Sequence, residues 1–286
     1  MLNIKSNIPI EVPNVIFIGN TAFDIVDFRN VDSSKGIIKN VGGACIFSAV
    51  PASLFYRVGV VTKVGKDFDV SEINKYNINC LGLKVLDNRK TTEFYTMWNT
   101  SDGQNRTIIG EVQTDMKVTS QDIPKEFLSA KHFHLTTADP KVQLELIKFL
   151  RKNTDSTISV DTIDDFIKDP CCKEVFDSVD VAFIDKEYKE LLDCKSKVKI
   201  IKYGKKGCIY YSNEKNFPVY AKVLENVVDK TGAGDCLNGV FINLIKNGVD
   251  ERIALQEAVN VATESIKRYG ILSLEYKSDR FSEKEL

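Results

Sequence analysis

Short apolar runs alternate along the chain with longer stretches that carry apolar residues at helical spacing. In runs such as Val-Ile-Phe-Ile at 15–18 and Val-Ala-Phe-Ile at 181–184 no polar residues alternate with the apolar ones, which is typical of strands covered on both faces. A parallel sheet with helices on either side has such strands, so the pattern predicts the α/β class. The predicted strands lie at residues 15–18, 58–61, 131–135, 158–161, 181–184 and 199–203, and a predicted helix at 141–152 follows the start signal Asp139-Pro140.

Two segments depart from this rhythm. Residues 24–39 mix polar and apolar residues without a helical stripe, and residues 91–110 contain two β-prone runs around the turn-forming residues 101–105. The second segment predicts a β-hairpin. We expect both segments to form a small β-sheet lid that projects from the main sheet. Because no linker or repeat occurs, we interpret residues 1–286 as one domain that carries this lid.

Charge and hydropathy limit the partners. The chain has 39 Lys and Arg against 40 Asp and Glu, for a formal net charge of −1. Nucleic acid and anionic membranes select proteins with a basic excess, so neither is an expected partner. Residues 1–11 contain no hydrophobic signal core. The longest uncharged apolar stretch, residues 44–56, is interrupted by Pro51 and is too short to span a bilayer.

Histidine and cysteine usage narrows the chemistry further. His132 and His134 are the only histidines, which excludes a three-histidine metal site and favours structural roles for both. The seven cysteines are an odd number without a CxxC pair, which argues against a disulfide framework or a zinc knuckle. Reduced thiols and the absent signal core together predict a cytoplasmic protein.

The strongest chemical signal is the string Asp-Lys-Thr-Gly-Ala-Gly-Asp at residues 229–235. Apolar residues recur after it at helical spacing, which predicts a helix that begins at these glycines. Free backbone N–H groups and the dipole at a helix start hold anions, so Gly232, Ala233 and Gly234 are predicted to form an anion hole. Asp235 lies in the first turn, where the dipole is expected to keep its carboxylate ionised.

An ionised carboxylate beside an anion hole has a clear use. It takes a proton from a hydroxyl while the N–H groups stabilise a transferring phosphoryl group, which makes Asp235 a candidate general base. The alternative is a plain glycine turn, which a bare GxG would favour; the full string opening an amphipathic helix reverses that preference. Neither the GxxxxGK[ST] loop nor a GxGxxG after the first strand occurs. The same helix start predicts a lowered thiol pKa for Cys236.

The string at residues 229–235 resembles the signature of the ribokinase-like (PfkB) carbohydrate kinases, and the resemblance extends over nearly the whole chain. It implies a three-layer α/β/α fold with a mostly parallel central sheet and a small β-sheet lid. It also implies a kinase that uses ATP and Mg²⁺ and transfers the γ-phosphoryl to a hydroxyl of a small sugar or cyclitol. By this resemblance Asp235 is the catalytic base.

The resemblance also assigns residues on both sides of the anion hole. Gly42 and Gly43 match the family's diglycine, and Asp24 matches the acidic residue that binds acceptor hydroxyls. Arg106 in the lid is a further acceptor-side candidate, with a plain surface role as the alternative. On the nucleotide side the candidates are Asp185, Lys202, Gly204, Gly207, Thr231, Gly232, Gly234 and Asn260.

Two positions depart from the family pattern. Phe47 stands where the family usually has Asn, and an aromatic residue there resembles the myo-inositol kinase branch. Its ring either packs on the apolar face of a six-carbon acceptor or is a core residue of the following helix. The family's NxxE is matched only loosely by Asp185 and Glu187, where Glu187 is expected to hold Mg²⁺ through water. A carboxylate at Asp185 would repel phosphates unless Lys186 or Mg²⁺ compensates.

Three functions stay open at this point. The main hypothesis is a sugar or cyclitol kinase, with myo-inositol as the favoured acceptor, and the first alternative is a nucleoside kinase of the same fold. The second alternative is a non-catalytic sugar or nucleotide sensor, which the altered NxxE favours and the intact string at 229–235 disfavours. An exposed lid edge predicts a homodimer through the lid.

Overall fold

The computed structural model describes residues 11–30, 34, 36–98, 106–110, 112–162 and 164–278. Within these ranges the strands are β1 (Val15–Ile18), β2 (Ala22–Asp27), β3 (Ile37–Gly42), β4 (Val58–Gly65), β5 (Ile78–Leu86), β6 (Thr92–Trp98), β7 (Arg106–Ile109), β8 (His132–Leu135), β9 (Thr157–Val160), β10 (Val181–Asp185), β11 (Val198–Lys202), β12 (Cys208–Ser212) and β13 (Asn216–Val219). The α-helices are α1 (Ala44–Ala52), α2 (Ser71–Asn74), α3 (Pro140–Asn153), α4 (Asp164–Ile167), α5 (Pro170–Asp177), α6 (Ala233–Lys246) and α7 (Glu251–Ser265).

Nine strands form the main sheet in the order β13-β12-β11-β10-β9-β8-β1-β4-β5. Neighbours from β11 through β5 pair in parallel, and only β12 and β13 are antiparallel. All six predicted strands occur, and the predicted mostly parallel sheet is confirmed. The pattern missed β5, β12 and β13, which lie at or next to the edges of the sheet and carry partly exposed residues instead of a continuous apolar run.

Alternate residues of each central strand face opposite layers of helices. Val15 and Phe17 of β1 belong to a core shared with α1, α6 and α7, while Ile16 and Ile18 belong to a second core shared with α3 and α5. All four residues are at most 1% exposed. This packing on both faces explains the unbroken apolar runs, and it confirms the three-layer α/β/α architecture.

A separate sheet of four strands has the order β3-β2-β6-β7. Strands β6 and β7 pair antiparallel, as the predicted hairpin requires, although its turn at 101–105 lies outside the described residues. Strand β2 begins four residues after β1 ends, so this small sheet starts at the carboxyl edge of the main sheet. Its inner face contacts the body, where Phe28 packs edge-on against Tyr269 with ring centroids 5.1 Å apart.

Both histidines are buried in β8 and bond to the neighbouring strand. The ring nitrogens of His132 lie 2.7 Å from the hydroxyls of Thr157 and Ser159, and Nδ1 of His134 lies 2.7 Å from Ser159 Oγ. Burial lowers the pKa of His134 to about 4, which keeps that ring neutral. These contacts fit the predicted structural roles. Among the residues described, no helix is both long and apolar enough to cross a membrane.

Helices α1 and α6 approach closely at a glycine. A Cβ atom at Gly239 of α6 would lie 2.2 Å from the backbone oxygen of Ser48 in α1, a distance that requires the helices to move apart. One turn further along α6, the side-chain amide of Asn243 donates to the carbonyls of Ala52 and Tyr56 and satisfies the end of α1. The close contact of α1 with α6 therefore also keeps the diglycine, which precedes α1, near the predicted anion-hole glycines at the start of α6.

Gly239→Val is expected to lower the free energy of unfolding by about 2 kcal/mol, because overpacking a helix contact costs about 1–3 kcal/mol. The helix propensity gained on replacing glycine is at most about 1 kcal/mol and does not offset this cost. Urea unfolding followed by circular dichroism measures the change. The matched control is Lys148→Val on the exposed face of α3, expected to change stability by less than about 0.7 kcal/mol. Equal losses in both variants would contradict the close approach.

Candidate active site

Helix α6 begins at the predicted anion-hole glycines. Gly232 is its N-cap residue and has left-handed backbone angles, φ 73° and ψ 4°. A Cβ atom at Gly232 would lie 2.2 Å from the ring of Phe47. The conformation and the contact both require glycine at this position. The sequence pattern predicted this helix start correctly.

The backbone N–H groups at this helix start divide into used and free donors. Ala233 donates to the carbonyl of Lys230 at 3.3 Å, and Cys236 donates to the carbonyl of Gly232 at 2.8 Å. The N–H groups of Gly234 and Asp235 fall between these two and have no intrahelical acceptor. A ligand anion is therefore best met by Gly234 and Asp235, whereas the Ala233 N–H is already engaged in the turn.

The candidate base Asp235 is desolvated at this helix start. Its Oδ1 atom is buried and has no hydrogen-bond partner among the described residues. Burial raises the pKa of Asp235 well above its usual value, and the charge of Asp161 adds to the effect. The charge of Lys202 opposes the rise, while those of Asp24 and Asp185 reinforce it. Four carboxylates thus converge on one end of the sheet.

The helix dipole is not the dominant influence on the pKa of Asp235, contrary to the expectation from the sequence. A dipole at a helix start typically contributes about 0.3–1 kcal/mol. Burial of a carboxylate shifts its pKa by up to about 3–5 units, and each unit corresponds to about 1.4 kcal/mol. Desolvation together with the neighbouring carboxylates therefore outweighs the dipole, and Asp235 retains its proton to a higher pH than a surface aspartate.

Asp161, which no sequence motif marked, is the hub of the buried network. It follows β9 directly and is 4% exposed. Its carboxylate accepts bonds from Lys202 Nζ at 2.9 and 3.1 Å, from Asn238 Nδ2 at 2.6 Å and from the Thr162 N–H at 2.9 Å. The Gln143 side chain donates to its backbone carbonyl at 3.2 Å. A charged residue directly after a buried strand was the available signal, because parallel strands place such residues at one edge.

The predicted nucleotide residue Lys202 lies within this network. Its Nζ is 3.6 Å from Asp185 Oδ2 and would lie 3.3 Å from a Cβ atom on Gly234, next to the free N–H groups. Burial favours the neutral amine, but the charges of Asp161 and Asp185 outweigh burial and raise the pKa of Lys202. The ammonium group is therefore held as a cation beside the helix start.

The predicted acceptor residues form a second cluster beside the anion hole. Asp24 Oδ2 lies 3.4 Å from the Gly43 N–H and would lie 1.9 Å from a Cβ atom on Gly42. The ring of Phe47 fills the space between Gly42 and Gly232, and Phe47 is 5% exposed. Of the two roles open for Phe47, this burial favours the core residue, since little of the ring is left to contact an acceptor.

A cavity of about 410 Å³ adjoins the acceptor cluster. Asn20 lines the cavity, and its carbonyl also lies 2.6 Å from the position of a Cβ on Gly43. Phe94 of the small sheet lines it too and stands opposite Asp24 in the β2–β6 register. Its other walls are mostly apolar and include Ile18, Leu135, Ala138, Val142 and Leu146. The predicted acceptor residues Asp24, Gly42, Gly43 and Phe47 adjoin this cavity but are not among the residues that line it.

The remaining nucleotide candidates lie in the turn after β11 and around α6. Gly204 and Gly207 both have positive φ, and a Cβ at Gly207 would lie 2.1 Å from the Val219 carbonyl. The Thr231 N–H donates to Asp229 Oδ1 at 2.9 Å, while Thr231 Oγ1 is buried without a partner in the described ranges. On α7, Asn260 accepts a bond from Gln256 at 3.1 Å.

Three further candidates have different outcomes. The backbone of Arg106 pairs with Trp98 in the small sheet, but its side chain lies outside the described part. Cys236 is fully buried, and burial raises its thiol pKa, so the predicted lowered pKa is wrong. Glu187 has a 63% exposed side chain that lies 3.5 Å from Lys186 Nζ.

The donor set fits a nucleotide with Mg²⁺ better than a metal caged by protein. The described residues contain no group of three or more His, Cys, Asp or Glu side chains that could hold a metal ion. Mg²⁺ commonly keeps several waters and is bound through substrate phosphates with one or two carboxylates. The buried, unpartnered Thr231 Oγ1 and the free N–H groups of Gly234 and Asp235 provide polar groups for phosphate oxygens.

The model of the pfkB family carbohydrate kinases matches residues 13–275. This range is most of the chain, and the protein belongs to this family. It is accordingly a phosphotransferase with an alcohol group as acceptor. A non-catalytic sensor is therefore not the function that the family indicates.

Individual relatives support the fold and divide between two acceptor classes. A cytidine kinase of Thermococcus kodakarensis is 25% identical over 281 residues, which cover 91% of this chain and 99% of the relative. A Burkholderia thailandensis nucleoside kinase in complex with inosine has a TM-score of 0.77 at 14% identity, covering 91% and 93% of the two chains. An Escherichia coli chain assigned as ribokinase II, with ATP and Mg²⁺, has a TM-score of 0.75 at 20% identity, covering 92% and 96%.

Asp235→Asn is expected to lower kcat at least about 100-fold, because general-base catalysis contributes about 10²–10⁴-fold, while ATP binding measured by calorimetry is largely retained. The control is Asp169→Asn at the N-cap of α5, where Asn caps equally well and activity should not change. Turnover retained by the Asp235 variant would contradict its assignment as base.

The same substitution is expected to raise Tm at neutral pH. A carboxyl whose pKa is higher in the folded than in the unfolded chain binds more protons when folded. Stability therefore falls as pH rises from the unfolded value of about 3.9 through the folded pKa. Asn removes that loss, so the gain in Tm should be present at pH 8 and shrink towards pH 4. Scanning calorimetry at both pH values checks this, and a pH-independent difference in Tm would refute it.

Proposed function

We propose that this protein is a kinase that uses ATP and Mg²⁺ to phosphorylate a ribose hydroxyl of a nucleoside. The observation that carries the proposal is the largely apolar cavity of about 410 Å³ beside the Asp24 and diglycine cluster. Its size lies within the range of about 300–1,000 Å³ that small-molecule sites occupy. A sugar held at Asp24 and Asp235 would place a second, less polar group in this cavity.

The chemistry of the cavity wall favours a nucleobase over a free polyol. Inositols and free sugars carry hydroxyls around the whole ring, and hydroxyls placed against Ile18, Leu135 and Leu146 would lose hydrogen bonds to water without replacement. A planar base packs against apolar walls and against the ring of Phe94. The wall also includes polar and charged residues that provide groups for the base edge, namely Asn20, Lys117, Thr136, Thr137, Asp139 and Gln143.

Two of the relatives named above support the same acceptor class. The cytidine kinase of Thermococcus kodakarensis aligns over almost its full length, and the Burkholderia thailandensis nucleoside kinase holds inosine. The buried ring of Phe47 removes the main argument for a cyclitol acceptor. Myo-inositol stays a prediction from the sequence and belongs in the panel below as the second candidate.

The proposed mechanism assigns one task to each group of residues. Asp24 orients the acceptor hydroxyls, and Asp235 takes the proton of the attacking hydroxyl. The free N–H groups at the start of α6 stabilise charge on the transferring phosphoryl group. Mg²⁺, when bound, neutralises charge on the phosphate oxygens, and Glu187 is the residue proposed to hold it through water.

The small sheet is proposed to act as a lid on one domain. Phe94 of β6 and Gly110, the residue directly after β7, line the cavity, so this sheet forms part of its wall. Closing this wall over the acceptor would exclude water and limit wasteful ATP hydrolysis. A homodimer through the lid edges stays a prediction.

A panel of acceptors with coupled ADP detection tests the function. We expect pyrimidine or purine nucleosides to give the highest kcat/KM with ATP and Mg²⁺, ahead of ribose, hexoses and myo-inositol. ADP release that is fastest with myo-inositol or a hexose and negligible with every nucleoside would overturn the proposal.

Filling the cavity separates the base from the sugar. Ala138→Phe narrows the cavity and is expected to lower kcat/KM for the preferred nucleoside at least about tenfold relative to ribose, since hydrophobic contacts discriminate by about 10–200-fold. Ala138→Ser keeps the volume and is the matched control, with an unchanged ratio. An unchanged ratio in the Phe variant would show that the base does not occupy this cavity.

A further inference from the structure

We propose that Asp161 and Lys202 act as a positioning pair for phosphoryl transfer: Asp161 fixes the start of α6 on the sheet, and Lys202 supplies a buried positive charge beside Asp235. The inference rests on the proposed kinase function. It assigns work to Asp161, which no motif of the sequence marked, and gives Lys202 a role distinct from nucleotide binding.

Asp161 connects the start of α6 to the main sheet. Asp235 and Asn238 are three residues apart on α6 and therefore neighbours on its surface. Asn238 is fully buried and donates to Asp161 at 2.6 Å, and the same carboxylate is fixed by Lys202 from β11. Bonds from α6 and β11 thus meet on one side chain. The position of Asp235 relative to the sheet is set through this junction.

Several titratable groups surround Asp235. The titratable groups that face Asp235 are Asp24 of β2, Asp161 after β9, Asp185 of β10, Lys202 of β11 and the buried thiol of Cys45 in α1. The positive charge among them is that of Lys202. Ionisation of Asp235 therefore places a fourth negative charge in this cluster, and Lys202 is the group in it that stabilises the ionised form.

The charge of the Lys202–Asp161 pair matters more here than its contribution to the stability of the fold. A buried Lys–Asp pair is often no more stabilising than apolar residues of the same volume, because both ions lose their hydration. Side-chain exposure is 8% for Lys202 and 6% for Asp161, so this loss is nearly complete. Lys202 Nζ lies 3.3 Å from the Cβ position of Gly234, so the pair presents a positive charge at the start of α6, and this charge explains the pair better than folding stability does.

Lys202 and Asp161 have opposite effects on the ionisation of Asp235, so variants of the two residues should shift it in opposite directions. Without the ammonium group, Asp235 ionises less readily, so Lys202→Met should move the acid limb of the kcat/KM profile up by about one pH unit. Without the Asp161 charge, Asp235 ionises more readily, so Asp161→Asn should move the limb down. Because the two effects oppose each other, the shift of the double variant should lie between those of the two single variants. A purely structural role would not produce shifts of opposite sign.

Two comparisons separate the charge of Lys202 from its size and from the general effect of losing a buried ion pair. Lys202→Arg keeps the charge and should keep the acid limb in place. The matched control is the buried pair Lys63 and Asp122, at 2.9 Å, for which Lys63→Met and Asp122→Asn should leave the limb unchanged. If Lys202 only binds phosphate, Lys202→Met will raise KM for ATP with an unmoved limb, and the proposal is then wrong.

The ionisation of Asp235 is also measured without turnover. Carboxyl carbon NMR of ¹³C-aspartate-labelled protein, with the Asp235 signal assigned by Asp235→Asn, gives its titration in the free wild type and variants. The shifts should have the same opposite signs. Absence of ADP release with every acceptor would defeat the proposed function while this titration still decides the inference. Shifts of equal sign, or none, overturn the positioning pair, and a Lys202→Met chain that fails to fold is replaced by Lys202→Gln.

Discussion

The ion pair between Asp161 and Lys202 is the interaction on which the rest of the site depends. Parallel strands carry their terminal side chains to one edge of the sheet, and here that edge brings Asp161 and Asp185 beside Asp235. Asp24, from β2 of the small sheet, adds a further carboxylate. Such a cluster is unfavourable without compensation. The ammonium group of Lys202 and the Asn238 amide provide part of it, and they also join β11 and α6 to Asp161.

Close glycine packing keeps the acceptor and phosphate loops together. These loops are about 190 residues apart in the sequence, and the Phe47 ring fills the space between Gly42 and Gly232. The tight contact of α1 with α6 at Gly239 holds the two helices that follow these loops. In the proposed function phosphate is met by backbone N–H groups, which would explain how a chain of net charge −1 suits a polyphosphate ligand without a basic surface.

The sequence predicted those features that are set by local pattern. Central strands buried on both faces have unbroken apolar runs, and the start of α6 has its glycines, so both were found. Edge strands such as β5 lack that pattern and were missed. Asp161 was missed because its importance comes from partners at positions 202 and 238. The raised pKa of Asp235 was not predicted because desolvation arises only when distant segments pack around it.

The desolvation that raises the pKa of Asp235 would also suit the role of base proposed for it. A carboxylate with a higher pKa accepts a proton from a hydroxyl more readily, provided that it is ionised at the working pH. Burial and the neighbouring carboxylates raise the pKa of Asp235, and the charge of Lys202 favours its ionised form. The balance between these two effects would set the reactivity proposed for Asp235, because removing either effect lowers its basicity or the fraction of it that is ionised. The electrostatic cost to the fold and the catalytic power proposed for Asp235 therefore have one physical origin.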